Sequence, residues 1–182
     1  MNFLKTDLDG VYIVEPLLYR DERGYFLETY RDEIFREKGL DMQFVQDNCS
    51  FSKKGVVRGL HYQARRAAQE KLIMVCRGEI LDVAVDLRRG SPTFGKHISV
   101  LLSEKNHRMV LIPGGFAHGF SVLSEEASVY YKCSTYYDHV LERGIRWNDP
   151  DLKINWKVSA PVVSEKDRNQ PLLNQVPEQD LF

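Results

Sequence analysis

Apolar residues along the chain gather in short β-rich runs broken by turn-forming residues, and only one segment has the amphipathic period of a helix. The runs VYIVE (11–15), YFLETY (25–30), VVRGLHYQ (56–63), KLIMVCR (71–77), ILDVAVDL (80–87), HISVLL (97–102), MVLIP (109–113), HGFSVL (118–123) and SVYYKCS (128–134) predict nine strands. Over residues 81–87 the alternation is strict, with Leu81, Val83, Val85 and Leu87 on one face and Asp82, Ala84 and Asp86 on the other, which predicts a half-buried strand. The segment RDEIFREKGL (31–40) sets Ile34 and Phe35 against charged neighbours and reaches a helix-ending glycine at Gly39, so one short helix is expected there. RRGSPTFG (88–95) and PGG (113–115) read as turns. Past residue 141 the pattern loosens into NDPDLKINW and SEKDRNQPLLNQ, predicting a coil-and-short-helix tail laid over the β structure. The expected architecture is all-β: one domain over residues 1–182, a jelly-roll β-sandwich with short flanking helices, which leaves few strand edges open.

Composition narrows the function classes. A chain of 182 residues has room for one sizeable core, with roughly 70% of the unfolded surface buried. Lys and Arg number 25 against 26 Asp and Glu, so no global positive field favours nucleic acid. The start MNFLKTDLDG has no apolar leader region, and no run approaches the length of a membrane-spanning helix; a soluble, cytoplasmic protein without membrane partners is expected. Cys49, Cys76 and Cys133 are odd in number, widely spaced and without C-x-x-C, and read as reduced thiols rather than a disulfide framework or zinc knuckle.

Two segments carry candidate chemistry. His61 in VVRGLHYQ shares strand parity with Val57, Gly59 and Gln63, while Arg58 has the opposite parity and can face the same cavity only if Gly59 makes a bulge. His118 in IPGGFAHGF follows a Gly-rich turn and is a candidate substrate contact. Together these segments resemble the two short motifs of the cupin superfamily, since Gly55 lies six residues before His61 and Pro113-Gly114-Gly115 precedes His118. Metal-binding cupins carry His-x-His with a Glu soon after, whereas here Gln63 replaces the second histidine and Glu70 arrives late. Two histidines are too few ligands, so no catalytic metal is expected. An imidazole free of metal is the ordinary general base near neutral pH, and Tyr131 in SVYYKCS is its natural counterpart as a proton donor. Lys71 and Arg58 supply positive charge on neighbouring strands.

The blocks DERGYFLETY, VQDNCSFSKKGVVRGLHYQ, QEKL, ILDVAVDLRRGSPTFGK, IPGGFAHGF, YKCSTYYD, GIRWNDP and SEKD resemble, in order from about residue 10 to residue 173, the dTDP-4-dehydrorhamnose 3,5-epimerase family. The resemblance implies a cupin-like fold and a cofactor-independent reaction on dTDP-4-dehydro-6-deoxy-D-glucose, whose C4 ketone acidifies C3 and C5. It implies His61 as base, Asp167 as the carboxylate paired with it, Lys71 beside the C4 oxygen and Tyr131 as proton donor on the opposite face. Ser164-Glu165-Lys166-Asp167 also reads, on its own, as a helix start with a capping serine. Arg23 and Arg58 fall on diphosphate positions, Glu28, Gln46 and Asn48 on thymine and deoxyribose positions, and Tyr19 and Tyr136 on aromatic positions around the base. The family's homodimer makes Arg23 and Glu28 candidates to act across an interface. Relatives that invert one carbon only, or move the keto group between C3 and C4, share much of this pattern, and Tyr131 is the residue that favours double inversion. A metal-dependent dioxygenase or a sugar-binding module is the reading from another class; the broken ligand pair disfavours the first, and the set His61, Asp167, Lys71 and Tyr131 the second.

Overall fold

Short runs rich in β-branched, aromatic and other apolar residues form most of the strands, and turn residues separate them. The computed structural model describes residues 1–182. Its strands are β1 (Asn2–Lys5), β2 (Tyr12–Glu15), β3 (Leu18–Asp21), β4 (Gly24–Leu27), β5 (Gln46–Lys53), β6 (Val56–Gln63) and β7 (Lys71–Arg77). They continue as β8 (Glu79–Asp86), β9 (His97–Ser103), β10 (Met109–Ile112), β11 (Phe116–Val122), β12 (Glu126–Cys133), β13 (Glu142–Gly144) and β14 (Val162–Val163). Two short helices, α1 (Asp32–Glu37) and α2 (Glu165–Arg168), flank them, and Gly39 follows α1 with φ +75°.

One sheet has the order β1-β2-β10-β7-β12-β5, the other β13-β6-β11-β8-β9 with β14 added in parallel on β6; β3 and β4 form a hairpin apart from both. The sheets enclose a core that includes Ile73, Val75, Val110 and Val129 from the first and Ile80, Ala84, Phe116 and Phe120 from the second. This is the cupin-like jelly-roll sandwich that the pattern and the resemblance led us to expect.

The tail beyond residue 141 covers the outer face of the second sheet, where Ile145, Leu152, Trp156, Val176 and Leu181 pack on Leu60, Leu81, Val83 and Val85. That cover corrects the expectation for β8, which is buried on both faces and not on one. Asp82 and Asp86 are 1% and 0% exposed, each held by hydrogen bonds.

The pattern predicted no strand at β5, QDNCSFSK, which pairs with β12 along its whole length. It is an edge strand whose inward Gln46 and Asn48 line a cavity, so its inner face is polar and no apolar alternation marks it. β1, β3, β13 and β14 also went unpredicted, being two to four residues long with little alternation of their own.

Candidate active site

The site begins with a bulge. His118 of β11 stands opposite His61 of β6, but Phe120 stands opposite Arg58, so Gly59 and Leu60 together face the single residue Gly119. Only glycine fits there. Gly59 has φ +121°, and a Cβ on it would lie 2.6 Å from the Gly119 Cα. The extra residue reverses strand parity: Val57, Leu60 and Tyr62 turn outward under the tail, while His61 and Gln63 line a cavity on the inner side. The expected shared face of His61 and Val57 is thereby corrected, and the bulge at Gly59, on which a shared face of Arg58 and His61 depends, is present.

The cavity, of about 260 Å³, lies between the two sheets. From the first sheet, cross-strand pairing places Gln46, Cys133 and Lys71 in one row and Asn48 beside Tyr131 in the next. From the second come His61, Gln63 and Glu142. His61 and Tyr131 therefore reach the cavity from opposite sheets.

His61 Nε2 lies 2.7 Å from Asp167 Oδ1, and the other carboxylate oxygen accepts the Gly59 N–H at 3.1 Å. Asp167 is the third residue of α2, and its own N–H donates to Ser164 Oγ at 3.1 Å. The capping serine and the histidine partner are thus one device: the cap fixes the helix turn that carries the carboxylate. Burial raises the Asp167 carboxyl, but the hydrogen bond and charge of His61, the Gly59 N–H and Ser164 outweigh it and hold it below the usual carboxylate range. An ionised Asp167 accepts at Nε2, which leaves the ring lone pair on Nδ1.

Lys71 makes no salt bridge within 4 Å, and burial lowers its ammonium against the opposing pull of Cys133, Asp82 and Glu142. Burial raises the Tyr131 phenol, as does Cys133, while Arg58 opposes the rise, so the hydroxyl keeps its proton at neutral pH. Beneath the cavity, His118 Nε2 sits 2.7 Å from Asp82 Oδ2; His118 is 8% exposed and is not part of the cavity lining.

The other sequence-predicted residues divide into two groups. Gln46 and Asn48 line the cavity, with Gln46 Nε2 donating to Asn48 Oδ1 at 3.0 Å. Arg58 opens onto an adjoining cavity of about 400 Å³ that His61, Asp167 and Lys166 also line. Tyr136 is 72% exposed on the loop after β12. Arg23, Glu28 and Tyr19 lie away from this chain's own cavity, on or beside the β3–β4 hairpin: Arg23 pairs with Asp21 at 2.5 Å, Glu28 with Arg31 at 2.6 Å, and Tyr19 packs against Phe26. Sequence reasoning missed Glu142, Tyr137, Gln69 and Lys166. Glu142 accepts from Tyr137 Oη at 2.8 Å and from Lys166 Nζ at 2.5 Å. Gln69, Tyr137 and Lys166 carried a sequence signal, since they lie inside the blocks QEKL, YKCSTYYD and SEKD, whereas Glu142 lies in none of the blocks. No cluster of three or more His, Cys, Asp or Glu side chains converges in a way that would hold a metal ion.

An acid–base pair across a cavity, with a cation on its wall, suits proton removal beside a carbonyl. Residues 5–175 match the family described as dTDP-4-dehydrorhamnose 3,5-epimerase. The chain belongs to that family. It is 53% identical over 178 residues to the dTDP-4-dehydrorhamnose 3,5-epimerase of Methanothermobacter thermautotrophicus, covering 96% of each chain. Among solved structures, the dTDP-6-deoxy-D-glucose-3,5-epimerase of Legionella pneumophila, in complex with dTDP-4-keto-L-rhamnose, superposes with a TM-score of 0.96 at 47% identity, covering 99% of this chain and 96% of that one. A 3'-monoepimerase of Streptomyces bikiniensis in complex with dTDP-quinovose has a TM-score of 0.88 at 35% identity, covering 93% of this chain and 86% of that one. These two 3,5-epimerases match this chain more closely than the single-carbon relative does.

Proposed function

We propose that the protein epimerises dTDP-4-dehydro-6-deoxy-D-glucose at C3 and C5 to dTDP-4-dehydro-L-rhamnose, as a step of dTDP-L-rhamnose biosynthesis. The observation that carries the mechanism is the placement of the His61–Asp167 pair and Tyr131 on facing sheets around one cavity with Lys71 in its wall. His61 takes the proton alpha to the C4 ketone, Lys71 stabilises the enolate oxygen, and Tyr131 returns a proton to the other face. Asp167 holds the ring and supports the imidazolium that forms. No redox or metal step enters this scheme.

The remaining assignments concern binding. Arg58 is the diphosphate contact of this chain, and Gln46, Asn48 and Tyr136 belong to the nucleotide side of the site. His118, paired with Asp82 below the cavity, acts on the substrate only through the wall it supports. We place Arg23, Glu28 and Tyr19 in the site of a second copy, in a homodimer. Two features support this: neither Arg23 nor Glu28 lines the cavity of its own chain, and Leu17, Tyr19, Tyr25 and Phe26, on or beside the same hairpin, are 53–67% exposed. A cytoplasmic location, with the whole of residues 1–182 acting as one domain, fits the three free thiols and the lack of any helix long and apolar enough to cross a membrane.

Inversion of one carbon only is the second reading, favoured by the likeness to the 3'-monoepimerase. Incubation with dTDP-4-dehydro-6-deoxy-D-glucose in D2O, with NMR of C3 and C5, separates the two. Deuterium with inversion at both carbons is the expected result; exchange at one carbon selects the second reading, and exchange at neither rejects both.

A further inference from the structure

Residues 135–137 follow β12 on the rim of the cavity, and none of the three makes a backbone–backbone hydrogen bond. Each instead meets a glutamine side chain. Gln69 Nε2 donates to the Thr135 carbonyl at 2.7 Å, Gln63 Nε2 donates to the Tyr136 carbonyl at 3.3 Å, and the Tyr137 N–H donates to Gln46 Oε1 at 2.9 Å. The glutamines come from β6, β5 and the segment before β7, and all three line the cavity. An exposed segment without ladder bonds is free to sample many conformations, so these bonds decide where its two tyrosines stand. Tyr136 is mostly exposed, and Tyr137 is tied through its hydroxyl to Glu142 inside the cavity. Gln63 is the residue that stands where the metal-binding cupin motif has a histidine. Its side chain is buried and Oε1 has no partner, so the donor end is the end that is used.

We propose that Gln63 and Gln69, with Gln46, are positioning residues that clamp the 135–137 segment and fix Tyr136 and Tyr137 as a rim against which the nucleotide sugar is held. The clamp acts on substrate binding and leaves proton transfer to His61 and Tyr131. This rests on the epimerase reading above.

The test uses the full chain in four further forms. Gln69→Met and Gln63→Met remove a donor at nearly constant size, Gln69→Lys restores an N–H donor of similar reach, and Gln69→Leu repeats the removal with a different shape. KM and kcat are measured with dTDP-4-dehydro-6-deoxy-D-glucose, and amide hydrogen exchange is followed over residues 134–138. Each loss of a donor should raise KM about tenfold, the effect of one hydrogen bond, with kcat within about threefold and faster exchange in the segment. Gln69→Lys should return KM to within about threefold of wild type. The inference is overturned if KM stays at the wild-type value in the variants lacking a donor, if kcat falls in place of a rise in KM, or if Gln69→Lys is as impaired as Gln69→Met. Failure of both Gln69→Met and Gln69→Leu to fold, with Gln69→Lys folded, would make the bond a structural strap and also overturn it. Absence of turnover in the wild type would reject the epimerase reading, and the exchange rates would still decide whether the clamp exists.

Discussion

Asp167→Asn isolates the electrostatic part of the proposed base. The carboxylate is 5% exposed and sits 2.7 Å from His61 Nε2, so the charge it loses faces the ring directly. Two unit charges about 4 Å apart attract by about 4 kcal/mol at an effective dielectric of about 20. If half the imidazolium charge has formed at the transition state, about 2 kcal/mol of that support is lost, and turnover falls about thirtyfold. A second effect is geometric. Asp167 accepts from both His61 and the Gly59 N–H, whereas an asparagine oxygen can face only one of them and its amide then meets the other donor. That mismatch should cost about 1 kcal/mol of folding stability, read as a lower urea midpoint. Initial rates and deuterium uptake at C3 and C5 in D2O measure the first effect, with His61→Asn as the benchmark. His61→Asn removes the base and should cost at least about a hundredfold. Turnover of Asp167→Asn within about threefold of wild type, in folded protein, would refute charge support by Asp167 and leave it a purely structural role.

Tyr131→Phe should still form the enolate, so deuterium enters the substrate with retention faster than inverted product appears; equal loss of exchange and inversion would move Tyr131 to the proton-removal step. Activity should be unchanged after EDTA treatment, and loss restored by a divalent ion would overturn the metal-free mechanism. Light scattering at micromolar protein should give the dimer mass, and a fully active monomer would return Arg23 and Glu28 to their own chain. Burial raises the Asp86 carboxyl, but Arg88, Ser91 and Thr93 hold it at about 2 against 3.8 for the free group. The unfolded chain binds the proton more readily, so this stabilisation of about 2 kcal/mol is complete above about pH 4 and is lost toward pH 2. Urea denaturation should show that loss in the wild type and a smaller one in Asp86→Asn; equal acid sensitivity of the two would contradict it.

Much of the sandwich was legible because its strands are short apolar runs between turn residues, some announced by alternation, as 97–102, and some by an unbroken apolar run, as 71–77. β5 was not, since its inner face is written in Gln46 and Asn48 for the cavity and not in core residues. The burial of β8 on both faces was equally invisible, because it depends on Trp156, Leu152 and Leu181, which arrive some seventy to a hundred residues later and carry no strand period.

The sequence by itself determined the alternating strands, the charge balance, the broken metal motif and, through eight ordered blocks, the family and the identity of its candidate acid, base and cation. Only the tertiary structure decided which of those side chains meet. Parity along β6 puts Arg58 and His61 on opposite faces, and the bulge at Gly59 against Gly119 reverses that. The partner of His61 lies 106 positions away on a helix turn set by Ser164, and the rim residues Tyr136 and Tyr137 owe their place to glutamines from three distant segments. Period and composition are local properties of a chain, whereas a site assembled from two sheets and a returning tail depends on pairing between residues that no local pattern connects.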